Sequence, residues 1–146
     1  MITQEAIDLI KEHEGCKLKS YKCPAGIDTI GYGSTFYEDG KKVMPGDVIT
    51  QDKADKLLMF VLEQMLRGIL KLIKVNLNNN QIGAIVSFVY NVGLGNFLKS
   101  TLLRKLNKNP NDPTIKDEFM KWNKANGKEL AGLTKRRAKE AELYFS

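Results

Sequence analysis

Apolar residues recur at helical spacing along most of the chain and lose that spacing in one stretch near the start. Residues 3 to 14 place Ile7 and Ile10, with Ala6 and Leu9 less regularly, on one side of a helix that Thr3 can cap and Gly15 should stop. From Lys17 to Phe36 the pattern turns to Tyr, Thr, Ile and Gly. There Cys23-Pro24-Ala25-Gly26 reads as a turn and Thr29-Ile30-Gly31-Tyr32-Gly33 as a strand, predicting a small antiparallel sheet that continues loosely to Val43. Thr50 is a good N-cap for a long helix to about Lys74, with Ala54, Leu57, Leu58, Val61, Leu62, Met65, Leu66, Ile69 and Ile73 at helical intervals. Asn78-Asn79-Asn80 interrupts, and a helix apolar on all sides is expected from about Gln81 to Asn91. Ser100 to Leu106 reads as a short helix. Asp112 should cap another, with Pro113 at its first position, running to about Asn123, and a last helix is expected from about Thr134 to Leu143.

The pattern predicts an α+β chain with one domain over residues 1–146. A small β-containing lobe would cover about 15–50 and a helical lobe 1–14 plus 75–146, joined by the helix of about 50–74, which is too long for a compact core element alone. There are no internal repeats, and Asn109-Pro110-Asn111-Asp112-Pro113 reads as a loop.

At 146 residues and 42% hydrophobic content, the chain can bury roughly two-thirds of its unfolded surface. The apolar run from Ile82 to Val92 is too short to span a bilayer, so no stable membrane insertion is expected, and no leader pattern is visible at the start. Two cysteines, Cys16 and Cys23, make no disulfide framework. With His13 as the one histidine, a zinc site lacks ligands, so no metal or other cofactor is expected. The formal charge of +6 and pI near 9.3 favour polyanionic partners. Scattered basic residues without a helix-turn-helix, zinc-finger or RNA-binding signature argue against nucleic acid, and a monomer is expected.

Glu14 is the last residue before the helix-stopping Gly15, at the expected junction of helix and sheet. A carboxyl shielded there keeps its proton near neutral pH and can act as a general acid; in the open it is an ordinary solvated glutamate. The string around it is more specific. Glu14-Gly15, Leu18, Tyr21, Gly26, Thr29-Ile30-Gly31-Tyr32-Gly33 and Thr35 resemble the N-terminal signature of the phage lysozymes. Gln81, Ala84, Ser87-Phe88, Asn91, Gly93, Gly95, Phe97 and Ser100-Thr101-Leu102-Leu103 resemble that family's central segment. Phe119, Trp122, Gly127, Gly132-Leu133, Arg136-Arg137, Glu140 and Phe145 resemble its C-terminal one. Three ordered blocks across nearly the whole chain make the likeness specific.

The family's catalytic set is a Glu, an acidic residue nine positions later and a Thr six positions after that. Glu14 and Thr29 fit, and the middle position is Cys23. The resemblance implies Glu14 as proton donor to the glycosidic oxygen, with the middle residue and Thr29 holding the attacking water in an inverting scheme. A thiol of ordinary pKa, about 8.5, is a few per cent ionised at pH 7, a deficit of about 2 kcal/mol for selecting the thiolate, so activity would be reduced and not abolished. Glu14 nearby would raise that pKa and Lys22 or an arginine would lower it. Water positioning, direct attack by the thiolate and a turn cysteine without a catalytic part all remain open.

A bridge between Cys16 and Cys23, seven residues apart, is conceivable and would make activity redox-dependent; otherwise Cys16 is a small packing residue. By resemblance Arg137 orients Glu14, against the alternative of a solvated basic helix Lys135-Arg136-Arg137-Lys139. The resemblance likewise implies that Tyr90 and Asn91 line the sugar-binding surface, against Asn91 as a simple helix cap. Ser34 stands where the family usually has a histidine. His13 should point away from Glu14, and Phe119 and Trp122 read as core. The resemblance implies a lysozyme-like fold and cleavage of bacterial peptidoglycan between N-acetylmuramic acid and N-acetylglucosamine. Synthesis would be in a host cytoplasm, with access to the wall on release. Rivals are a catalytically impaired peptidoglycan-binding pseudoenzyme, a chitinase, and lysis by the basic C-terminal helix alone.

Overall fold

Gly15 takes a φ of 69°, a left-handed conformation that ends the first helix, α1 (Gln4–Glu14), one residue earlier. The computed structural model describes residues 2–146, leaving Met1 outside, and is α+β. Two compact units emerge: Glu14–Gln64, and the residues up to His13 together with Met65–Ser146.

In the first unit β1 (Lys17–Lys22) pairs antiparallel with β2 (Asp28–Gly31), setting Tyr21 opposite Thr29 and Lys22 opposite Asp28. β2 ends two residues before the expected Gly33. Gly31 and Gly33, at φ of 64° and 99°, fold the chain back so that Ile30 and Ser34 exchange both backbone hydrogen bonds at 2.9 Å. The sheet continues only as bridges, Phe36 to Lys42 and Lys19 to Val48. Thr50 caps α2 (Gln51–Leu70) through its Oγ1, which accepts from the Lys53 amide at 3.1 Å. Ile30, Tyr32, Val43, Ile49, Ala54, Leu57, Leu58 and Leu62 are this unit's buried apolar residues.

α2 was expected to reach Lys74 and stops at Leu70. The Asn107 amide takes the backbone groups that would carry it on, its Nδ2 donating to the Leu72 carbonyl at 2.9 Å and its Oδ1 accepting from the Lys74 amide at 2.8 Å. In the second unit Asn78 and Gln81 form a reciprocal capping box that starts α3 (Asn79–Val92) two residues before the expected Gln81. A short helix absent from the sequence reading, α4 (Leu94–Lys99), follows. Ser100 then caps α5 (Thr101–Lys108) by accepting from the Leu103 amide at 3.1 Å.

The helix expected from Pro113 to Asn123 is shorter, α6 (Ile115–Met120). Asp112 spends its carboxylate on a local turn, accepting from both the amide and the hydroxyl of Thr114. A two-residue hairpin was also not anticipated: β3 (Lys124–Ala125) and β4 (Lys128–Glu129) join through Asn126-Gly127, both at positive φ as a type I′ turn requires. α7 (Ala131–Tyr144) begins three residues before Thr134. Phe88, on α3, is this unit's aromatic centre, edge-on to Phe97, Phe119 and Trp122 with ring centroids 6.3, 5.4 and 5.8 Å away. Phe119 is thus core, as the sequence suggested, and Trp122 is half-buried against Phe88.

Candidate active site

The β1–β2 hairpin puts Cys23 and Thr29 side by side. Cys23 follows the last residue of β1 and Thr29 is the second of β2, so the loop between the strands has only five residues. The loop closes on itself: Gly26, at a φ of 78°, donates its amide to the Cys23 carbonyl at 2.8 Å, and the Cys23 amide donates to the Ile27 carbonyl at 3.0 Å. The same Ile27 carbonyl accepts from the Thr29 hydroxyl at 2.9 Å. Thr29 is buried while Cys23 is half-buried, so the thiol sits at the rim of a fixed hydroxyl.

Hydrogen bonds hold the Cys23 thiol below its ordinary pKa. The amide of Ile27 contributes most; the Ala25 amide and Thr29 hydroxyl add to it, against partial desolvation. The cause differs from the one anticipated. Lys22, expected to lower the pKa by its charge, is engaged with Asp28, Nζ to Oδ1 at 3.0 Å, across the strand ends. The loop thus treats the sulfur as it would a carboxylate in a turn, offering amides to the anion. Backbone donors have no side-chain signature, so Ile27 could not be singled out in the sequence.

Glu14, half-buried, is the last residue of α1 and opens the unit to which Cys23 and Thr29 belong. His13 turns back on its own helix, Nδ1 lying 3.0 Å from the Leu9 carbonyl. Ser34 is buried at the β2 turn. The Cys16–Cys23 bridge is incompatible with this fold. Both cysteines are free, and six residues of β1 separate them; seven steps at about 3.3 Å put them roughly 20 Å apart, far beyond disulfide reach. Cys16 instead points its Sγ toward Gln51 Oε1 at 3.8 Å, next to a network in which Gln51 donates to the Tyr32 hydroxyl and the Asp55 carboxylate.

Tyr90, Asn91 and Arg137 belong to the other unit. Tyr90 is half-buried and Asn91 exposed at the end of α3. Arg137 donates from Nη2 to Asn91 Oδ1 at 2.6 Å and stacks its guanidinium over Phe88, 5.0 Å from the ring centroid. The alternative of a solvated basic helix fails for half its members: Arg136 and Arg137 are 2% and 0% exposed. Both clasp Glu140, itself fully buried, with Nε–O distances of 3.3 and 3.2 Å, and Ser87 donates to the same carboxylate. The i, i+3 and i+4 spacing of Arg and Glu on α7 was visible in the sequence, but not that the pairs face inward.

No group of three or more potential metal ligands occurs among the described residues. The phage lysozyme family model matches residues 11–140.

The chain belongs to the phage lysozyme family.

Its overall architecture agrees: the solved endolysin from Escherichia coli O157:H7 phage FAHEc1 superposes with a TM-score of 0.88 at 33% identity, covering 100% of this chain and 94% of that one. Among curated relatives, the endolysin of Bacillus phage B103 is 44% identical over 99% of this chain. The chain spans about half of that protein, 54% of its length. The endolysin of Salmonella phage P22 is 39% identical, with 99% of this chain and 98% of that protein matched. The fold is therefore the lysozyme-like α+β one, built from the two units described.

Proposed function

We propose that this phage lysozyme is an endolysin that hydrolyses the β-1,4 bond between N-acetylmuramic acid and N-acetylglucosamine in bacterial peptidoglycan, with inversion. The observation that carries the reading is the pairing of Cys23 and Thr29 around Ile27, in a family member that also keeps Glu14 at the matching spacing. Glu14 gives its proton to the glycosidic oxygen as the bond breaks. The Cys23 thiolate, held by the loop amides, takes a proton from water while Thr29 helps to orient it, and that water attacks the anomeric carbon from the opposite face. Each turnover leaves Glu14 ionised and Cys23 protonated, and exchange with solvent restores both. The lowered pKa of Cys23 favours this role for sulfur over that of an inert turn residue.

Tyr90 and Asn91 supply sugar contacts by stacking and hydroxyl pairing, with Arg137 positioning Asn91. The enzyme works as a monomer without nucleic acid, is made in the host cytoplasm and reaches the wall on release. Among the described residues no helix is long and apolar enough to cross a membrane. The endolysin names of the relatives support hydrolysis over a binding-only role. The test is release of reducing ends from purified peptidoglycan between pH 5 and 9. Glu14→Gln should lower the rate at least about 100-fold. Equal rates for variant and wild type, or no ends from either, would remove the assignment.

A further inference from the structure

Between Glu63 and Asp112 the chain has 48 residues without a single Asp or Glu and with seven Lys or Arg, whereas the other 98 residues hold 16 basic and 17 acidic ones. The whole positive excess of the protein therefore resides in one tract. Folding gathers it: the Asn107 amide ties the turn after α2 to α5 through its two backbone hydrogen bonds, at 2.8 and 2.9 Å. Exposed Lys71 and Lys74 lie on that turn, and Arg104 and Lys108, one helical turn apart, lie on the exposed face of α5.

The same surface carries leucines. Leu70, Leu94 and Leu98 are 48%, 39% and 55% exposed. Around the end of α2, Leu70, Arg67 and Lys71 cover one arc of about 100°, and Gly68 comes next. Gly68 packs so near Leu94 that a Cβ there would lie 3.0 Å from Leu94 Cδ2; Leu98 follows Leu94 by one turn of α4. Cations and exposed leucines therefore lie on adjoining elements of the helical unit, and Arg104 Nη1 donates to the Lys99 carbonyl at the end of α4 at 3.2 Å.

We propose that this face docks on an anionic phospholipid bilayer, without insertion of any helix. Lipid phosphates would meet the ammonium and guanidinium groups, and the leucines would enter the boundary of headgroups and acyl chains. A soluble polyanion would satisfy the cations and leave the leucines without a role. Such docking would hold the enzyme at the inner membrane surface, adjacent to its proposed substrate once the barrier opens.

Flotation of the full chain with vesicles of phosphatidylglycerol and phosphatidylethanolamine, against phosphatidylcholine vesicles, tests this. Wild type should float with the anionic vesicles only. The triple variant Lys71→Glu, Lys74→Glu, Arg104→Glu should lose at least tenfold in affinity, and the milder Lys71→Gln, Lys74→Gln, Arg104→Gln several-fold, with unchanged melting. Lys116→Glu, Lys124→Glu, Lys128→Glu alters net charge equally outside the tract and should lose no more than twofold. Leu70→Ser, Leu98→Ser should weaken binding several-fold, and soluble polyphosphate at equal phosphate should not displace the protein. Equal losses in the two charge-reversed triples would overturn the proposal, as would binding to phosphatidylcholine. So would full displacement by polyphosphate with no effect of the leucine changes, which would assign the face to a soluble polyanion.

Discussion

The two units divide charge and chemistry unequally. Glu14–Gln64 holds 7 basic and 8 acidic residues, and the remainder 16 and 9. In the first, the candidate catalytic groups sit on a five-residue hairpin loop, the strand that follows it and a helix end, positioned by hydrogen bonds within a two-stranded sheet. In the second, charged side chains are taken into the core: Arg136, Arg137 and Glu140 lie beside the aromatic group of Phe88. One unit leaves Glu14 and Cys23 half-buried, with Thr29 the buried member of the set. The other buries two guanidinium groups against one carboxylate, with Ser87 and Asn91 adding hydrogen bonds to them.

Removing one partner of the buried network should give the largest effect. Glu140→Ala leaves two guanidinium groups buried without their carboxylate, and breaking such a pair costs about 3–5 kcal/mol. A fall in melting temperature of roughly 10 °C is expected, read by far-UV circular dichroism. Replacing all three charges by Arg136→Met, Arg137→Leu and Glu140→Leu should recover most of that loss, because the penalty comes from the uncompensated charge. If Glu140→Ala melted within a degree or two of wild type, the contrast between the units would not stand.

Cys23→Asp breaks the comparison from the other side, changing chemistry without stability. The acceptor then ionises near 4 instead of in the thiol range, where an ordinary value is about 8.5. Cys23 is already lowered by the Ile27 amide, so the wild-type rate should rise with pH through a limb shifted down from that of an ordinary thiol, and the aspartate variant's limb should lie lower still. At pH 6 the variant should release reducing ends about tenfold faster or more, with melting nearly unchanged. Coincident pH profiles would exclude Cys23 as the group that takes the proton.

The contrast also explains what could be read from the chain beforehand. Helices with a polar and an apolar face were legible, and Thr50 and Gly15 marked two boundaries correctly. The end of α2 was not, because Asn107, more than thirty residues away, takes the backbone groups the helix would have used. The Asn126-Gly127 hairpin carried a readable signal that the helical spacing on either side obscured. At the candidate site, spacing and likeness singled out Glu14, Cys23 and Thr29, while the amides that tune Cys23 belong to Ile27 and Ala25, whose side chains say nothing of it.

Thr29→Val should have the smallest effect and separates support from tuning. The hydroxyl donates to the Ile27 carbonyl 2.9 Å away, and it shares its one hydrogen with the Cys23 sulfur, whose ionised form it favours. Loss of that hydrogen bond should cost about 1 kcal/mol in urea unfolding. Because the hydroxyl stabilises the thiolate, its removal raises the Cys23 pKa, so the rising limb of the pH–rate profile should move to higher pH by a fraction of a unit. Thr29→Ser keeps the hydroxyl and should restore the limb even if its lost methyl lowers stability. A limb that follows stability instead of the hydroxyl would make Thr29 a packing residue of β2 and leave the water to Cys23 alone.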